Sequence, residues 1–238
     1  MPLRQREEVQ EVLRQGTMRP AAFFFDLDGT LIDSEMLWAH AISEWLADHG
    51  QKATPDALAQ LVFGHSWLDI HAAIHAAFPA LPAAKPIDDA YALRPYYKRL
   101  ATDPAKLVIQ SAVDFLRKAA RIAPCAIVSG SPHKDVEEAA ALCGVTESLA
   151  FVLGAEDYSS GKPAPDGFLA AAMKLDVDAS ECVVVEDSSA GVASGRAAGM
   201  HVLGVDRNTV VRQDFMGCDW LVHDLSEIDV LAVFGGEA

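Results

Sequence analysis

The apolar run AAFFF, Ala21 to Phe25, is uninterrupted and then gives way to Asp-Leu-Asp-Gly-Thr. A run this short with no polar position predicts a strand buried on both faces. The next seventy residues carry no strand signal. MLWAHAISEWLADHG has helical spacing at Leu37, Ala41, Trp45 and Leu46, with Gly50 as its stop. TPDALAQLVFG predicts a helix capped by Thr54, opened by Pro55 and ended at Gly64. An Ala-rich helix is expected over 68–77. FPALPAAKPID is too rich in proline to be anything but a loop, and DDAYALRPYYKRLA predicts a helix broken or kinked at Pro95.

After Pro104 the pattern becomes strand–helix alternation. The strands are CAIVSG, LAFVLG, CVVVEDS and HVLGV, with DWLVHDL as an edge strand. The helices between them are SAVDFLRKAARI, HKDVEEAAALCG, DGFLAAAMKLD and SAGVASGRAAG. Short apolar runs alternating with helices predict an α/β fold with a parallel sheet covered on both faces, a doubly wound, Rossmann-like core. The all-helical stretch interrupts that core after its first strand. The expected organisation is a tail over 1–19, the core over 20–34 and 104–238, and an inserted all-helical domain over 35–103.

Composition narrows the partners. The formal net charge is −15 over 238 residues. That field repels nucleic acid and anionic lipid, so neither is expected as a partner. A phosphorylated metabolite would need a local positive patch. Cys125, Cys143, Cys182 and Cys218 form no C-x-x-C pair, which argues against a zinc site or disulfide framework and fits a reducing cytoplasm. The first twenty residues lack the apolar core of a secretory signal, and Glu7, Glu8 and Glu11 speak against a targeting helix. They read as a loosely attached helix or a disordered tail. No apolar run reaches the ~20 residues of a membrane span.

The candidate chemistry sits where strands end. In open α/β sheets, ligands bind beyond the carboxyl ends of the strands. Those ends carry Asp26 and Asp28, Ser129 with Gly130, and Glu186 with Asp187, while Lys162 lies in a strand-to-helix loop. Asp26 and Asp28 are two apart and point to one side of extended backbone. Two carboxylates about 5 Å apart repel by about 3 kcal/mol at an effective dielectric near 20. A divalent cation would offset that cost, and a few carboxylates plus a backbone carbonyl suit Mg²⁺. Metal, lysine, hydroxyl and carboxylate nucleophile together make a kit for phosphoryl transfer.

The motifs FDLDGTLIDSE, IVSGS, GKPAPDGF and VVVEDSSAG, in this order, resemble those of the haloacid dehalogenase superfamily. The resemblance covers roughly residues 20–224 and points to the phosphatase and β-phosphoglucomutase-like branch, whose helical cap is inserted after the first motif. It implies that Asp26 is the nucleophile that becomes an aspartyl-phosphate and that Asp28 is the general acid and base. Ser129, Gly130 and Lys162 would hold phosphate. Mg²⁺ would be held by Asp26, Asp187 and the carbonyl of Asp28, with Glu186 in or beside that set. The second aspartate, absent from true dehalogenases of the superfamily, favours phosphate over carbon–halogen chemistry.

Two departures favour hydrolysis over a sugar-phosphate mutase. Trp38 stands where the mutases carry a histidine, and the cap loop FGHSWLD offers Trp67 where they place an arginine. Gly64, His65 and Trp67 are the candidate cap specificity residues, with a flat or apolar substrate face near Trp67. The expected enzyme is a monomeric, Mg²⁺-dependent phosphatase of a small phosphorylated metabolite, with the mutase as alternative. A phospho-aspartate switch is a third reading, opposed by a base at Asp28. Asp33 reads as a turn-ordering residue, and Trp38 and Trp45, seven apart, as cap core. His40, His65, His71, His75 and His133 show no partner in the sequence and read as solvated or locally bonded.

Overall fold

The computed structural model describes residues 19–235; the tail expected at the N-terminus falls almost wholly outside them. Six parallel strands form one sheet in the order β3-β2-β1-β4-β5-β6. They are β1 (Ala22–Phe25), β2 (Cys125–Val128), β3 (Phe151–Leu153), β4 (Cys182–Glu186), β5 (His201–Val205) and β6 (Trp220–Val222). β1 lies mid-sheet, paired with β2 and β4, and its four residues are fully buried. Alternate side chains pass to opposite faces, as the two-residue strand period requires. Phe23 and Phe25 join one core layer, and Ala22 and Phe24 the other.

The first layer is closed by α5 (Gln110–Ala119), α6 (His133–Leu142) and α9 (Val230–Phe234). The second is closed by α7 (Asp166–Leu175) and α8 (Ser189–Ala197). The chain order and the two-sided cover give the doubly wound core expected from the alternation. The last helix was not foreseen. Asp229 caps it by accepting from the backbone N–H groups of Leu231 and Ala232. Phe234 then packs edge-on against Phe23 and Trp220, at centroid distances of 5.4 and 5.3 Å.

Between β1 and α5 lie α1 (Glu35–Asp48), α2 (Pro55–Val62), α3 (Trp67–Ala77) and α4 (Pro86–Leu100). They form the helical cap around a core of their own, with Ile42, Trp45, Leu58, Ile74 and Leu93 at its centre. Thr54 caps α2 through its side chain, as its position predicts. α4 runs through Pro95 without ending there. The reason is local: Pro95 and Tyr91 are both exposed, so water can satisfy the carbonyl that proline leaves without a donor. No helix among the described residues is long and apolar enough to cross a membrane.

Candidate active site

The register of β1 and β4 aligns Phe25 with Val185. The residues that follow, Asp26 and Glu186, therefore leave the sheet side by side, and the Asp26 N–H donates to the Val185 carbonyl at 3.0 Å. Ser129 leaves β2 on the other flank of β1, its N–H bonded to Leu153 O at 3.0 Å. Three buried carboxylates converge there: Asp26, Glu186 and Asp187, each with an oxygen within 4.8 Å of the others. Lys162 reaches in from the loop before α7 and pairs with Asp26 and, at 2.5 Å, with Glu186.

Neighbours fix each of these groups. Thr30 Oγ1 donates to Asp187 at 2.9 Å, and the backbone and hydroxyl of Ser188 donate to Glu186 at 3.1 and 2.9 Å. Gly29 is at φ +90°, and a Cβ there or at Gly191 would fall on the carboxyl of Asp187 or Glu186 respectively. Both positions must be bare for the acids to sit where they do. Burial pushes the carboxyls of Asp26 and Asp187 well above the usual range. Lys162 opposes the shift at both; Glu186 reinforces it at both, with Asp187 adding to it at Asp26 and Glu35 at Asp187. Burial works against the Lys162 ammonium, yet the charges of Asp26 and Glu186 hold its pKa above that of a free lysine. One lysine among three acids leaves negative charge in excess. Oxygen-only donors, buried and convergent, fit a hard divalent cation such as Mg²⁺.

Asp28 stands apart from that trio. Ser34 Oγ donates to one of its oxygens at 2.5 Å and Ser131 Oγ to the other at 2.8 Å. Its carboxyl is thus held over the cavity rather than in the acidic cluster, and any share in metal binding would fall to its backbone carbonyl. The Ser129 hydroxyl accepts from Ser131 N at 3.0 Å, which orders the Ser129–Ser131 turn. Asp33 pairs with Arg207 at 3.2 Å, in keeping with a turn-ordering role.

A cavity of about 380 Å³ opens above these groups. Asp26, Asp28, Ser129, Gly130 and Lys162 line its core side; Gly64, His65 and Trp67 line its cap side. The cap loop rests on the core. Gly64, at φ +73°, comes so close to Ser188 that an added Cβ would lie 2.9 Å from the serine Cβ. Glu35 Oε1 accepts from Gly64 N at 2.9 Å. Burial, with the charges of Asp28, Asp26 and Asp33, pushes Glu35 up to about 8 against the pull of that N–H.

The sequence reading overlooked several lining residues. Trp38, read as cap core, packs on that core but also lines the cavity, stacked on Tyr97 at 4.2 Å and tilted towards Trp67 at 6.4 Å. Trp67 spends its indole N–H on Pro86 O at 2.6 Å. Arg94 lines the same space and pairs with Asp135 of α6, tying cap to core. The serines Ser34 and Ser131 had no signal beyond their place inside the motifs. Among the histidines, His133 is partnered by Asp157 at 2.5 Å, and His71 and His75 converge on Asp89.

Known proteins resemble this chain in sequence and in fold. The chain is 33% identical over 218 residues to hexitol phosphatase A of Escherichia coli, covering 90% of this chain and 95% of that one. It is 29% identical over 205 residues to validoxylamine A 7'-phosphate phosphatase of Streptomyces hygroscopicus, covering 86% and 93%. Its fold matches that of β-phosphoglucomutase from Clostridium difficile with a TM-score of 0.76 at 19% identity, covering 91% and 97%. The profile of the haloacid dehalogenase-like hydrolases matches residues 20–199, and the chain belongs to that family of enzymes.

Proposed function

We propose that this phosphoric monoester hydrolase is a Mg²⁺-dependent phosphatase that cleaves a small phosphorylated sugar, polyol or similar metabolite through an aspartyl-phosphate on Asp26. The observation that carries the reading is the convergence of Asp26, Glu186, Asp187 and Lys162 beneath a cavity whose wall holds Asp28 by both oxygens.

Asp26 attacks phosphorus, forming an O–P bond as the ester O–P bond breaks. The Asp28 carboxyl gives its proton to the departing alcohol oxygen. Asp28, now a base, takes a proton from water, and the water oxygen displaces Asp26 from phosphorus to leave inorganic phosphate and the original carboxylate. Lys162, the Ser129 hydroxyl and the Gly130 backbone hold the phosphoryl oxygens through both steps. Mg²⁺, held by Asp26, Asp187 and the Asp28 carbonyl with Glu186 beside them, would supply the positive charge that lets an anionic nucleophile approach an anionic ester. The cap loop Gly64–Trp67 and the Trp38–Tyr97 stack close the leaving-group side and exclude water. They support a leaving group with an apolar face. Four free thiols support a reducing cytoplasm.

The test is phosphate release across a panel of phosphorylated metabolites, with and without Mg²⁺. Release from at least one sugar or polyol phosphate, silenced by chelation and restored by Mg²⁺, is expected. Conversion of a hexose 1-phosphate to its isomer without net release would replace the reading with a mutase.

A further inference from the structure

The cap carries a second convergence of ligand atoms, remote in character from the acidic cluster. His71 and His75 are four apart on α3 and so share a face, their rings 4.4 Å apart between centroids. Asp89, from the first turn of α4, turns inward and is only 7% exposed. Its Oδ2 lies 2.6 Å from His75 Nε2 and 3.3 Å from His71 Nε2. His71 Nε2 is the one buried side-chain nitrogen or oxygen among the described residues that has no hydrogen-bond partner. A buried polar atom without a partner is costly. This one faces two other potential ligands, all three within 4.8 Å of one another.

We propose that His71, His75 and Asp89 form a binding site for a divalent transition metal of the Zn²⁺ class. Two imidazoles and one carboxylate are a donor set for zinc and its neighbours, not for Mg²⁺, which takes oxygens. Ligand atoms around a tetrahedral zinc at its usual bond lengths stand about 3.3 Å apart. The His71–Asp89 separation already has that value, and the His75–Asp89 hydrogen bond, at 2.6 Å, opens by about 0.7 Å to match. In the metal-free protein His75 Nε2–H donates to Asp89. On loading, that proton leaves Nε2 for Nδ1 or for solvent, and the freed lone pair takes the metal. His71 binds through Nε2, which makes no hydrogen bond in the metal-free protein, as its neutral tautomer protonated on Nδ1. The fourth position falls to water. The bound ion clamps α3, which begins at the cavity loop, to α4, which carries Arg94 and Tyr97, so it stiffens the cap that closes over the substrate.

The test uses the full-length protein, stripped with a chelator and titrated with Co²⁺ in place of Zn²⁺. Tetrahedral Co²⁺ with nitrogen donors gives strong visible bands, whereas Co²⁺ among oxygen donors in the core cluster gives weak ones. Wild type is expected to develop the strong bands with about one equivalent per chain bound in the cap, and Zn²⁺ to raise its melting temperature and bleach the bands. His71→Gln removes a ligand whose Nε2 makes no hydrogen bond in the metal-free protein, so no native hydrogen bond of that atom is lost; it should abolish the bands and the Zn²⁺-dependent rise. His75→Gln, which keeps a donor for Asp89, should do the same. Asp187→Asn, which disables the core cluster, should keep the bands. Absence of strong bands in wild type, bands that survive His71→Gln, or bands that vanish with Asp187→Asn would each overturn the proposal.

Discussion

The two walls of the cavity are built by different means. On the core side, Asp26, Ser129 and Glu186 leave neighbouring parallel strands whose register fixes them relative to one another. Hydrogen bonds from Thr30, Ser188, Ser34 and Ser131 then hold their carboxyls or those of their neighbours. On the cap side, Trp38, Trp67, Tyr97 and Arg94 come from three helices and meet only because those helices pack. A sheet edge is a rigid frame for chemistry that tolerates little displacement. A packed helical face can be re-cut residue by residue, so choice of substrate can change while the reaction stays.

That contrast breaks most sharply at the core. Asp26→Asn should lower phosphate release by at least about 10³-fold, because on the proposed mechanism it removes the nucleophilic carboxylate. Retention of more than a tenth of wild-type turnover would remove the nucleophile assignment. Lys162→Met should cost about 10²–10³-fold in kcat, the scale of losing one donor aimed at developing charge. It should also destabilise the chelated protein by about 3–5 kcal/mol, since the buried Asp26 and Glu186 lose the cation that pairs with both. Mg²⁺ should return part of the stability but little of the rate, which urea unfolding and single-turnover kinetics would separate.

The same contrast explains what the sequence revealed. Asp26, Ser129 and Glu186 each stand at the end of an apolar run and Lys162 in a loop before a helix, all inside short contiguous motifs, so the strand pattern and the chemistry are legible together. The cap's helices were legible too, from Thr54, Pro55 and the Ala-rich spacing. Their mutual packing was not. Trp38 carries the signal of a helix core position and serves both core and cavity. His71 and His75 have the four-residue spacing of a shared face, but their partner Asp89 arrives on the next helix, beyond a proline-rich loop whose path no local rule specifies. The break or kink expected at Pro95 rests on a sound local rule, yet its exposed position lets the helix continue without ending.

Cap variants should therefore act on selection rather than on chemistry. Tyr97→Ala and Trp38→Ala, each removing one half of a 4.2 Å stack, should raise KM for the physiological ester by about 10-fold or more, on the scale of losing one aromatic contact. Both should leave kcat for p-nitrophenyl phosphate within a few-fold of wild type. An equal loss of kcat on every substrate would mean that the cap wall takes part in the chemistry. Arg94→Ala should have a smaller effect on stability, about 1 kcal/mol or less, because its ion pair with Asp135 is partly solvated.

The last expected effect lies where the two walls touch, at Glu35, and it shows only as a dependence on pH. Its pKa is raised from 4.5 to about 8, by burial first and then by neighbouring acids, while Gly64 N–H pulls it down. The folded chain thus binds this proton more tightly than the unfolded chain does. The associated stability is fully present below pH 4.5 and is lost as pH rises through about 8. Asp26 and Asp187, also raised, act with the same sign. Chelated protein should therefore lose stability between pH 5 and 8, with Glu35 contributing at most about 1.4 kcal/mol per pH unit. Glu35→Gln keeps an acceptor for Gly64 and removes the proton, so its unfolding free energy should fall less steeply across that window. Mg²⁺ should oppose the trend in both proteins, because deprotonation exposes the carboxylates it needs. Parallel slopes for Glu35→Gln and wild type in chelator would show that Glu35 is already ionised, and that the junction of cap and core is held by a charged hydrogen bond rather than a neutral one.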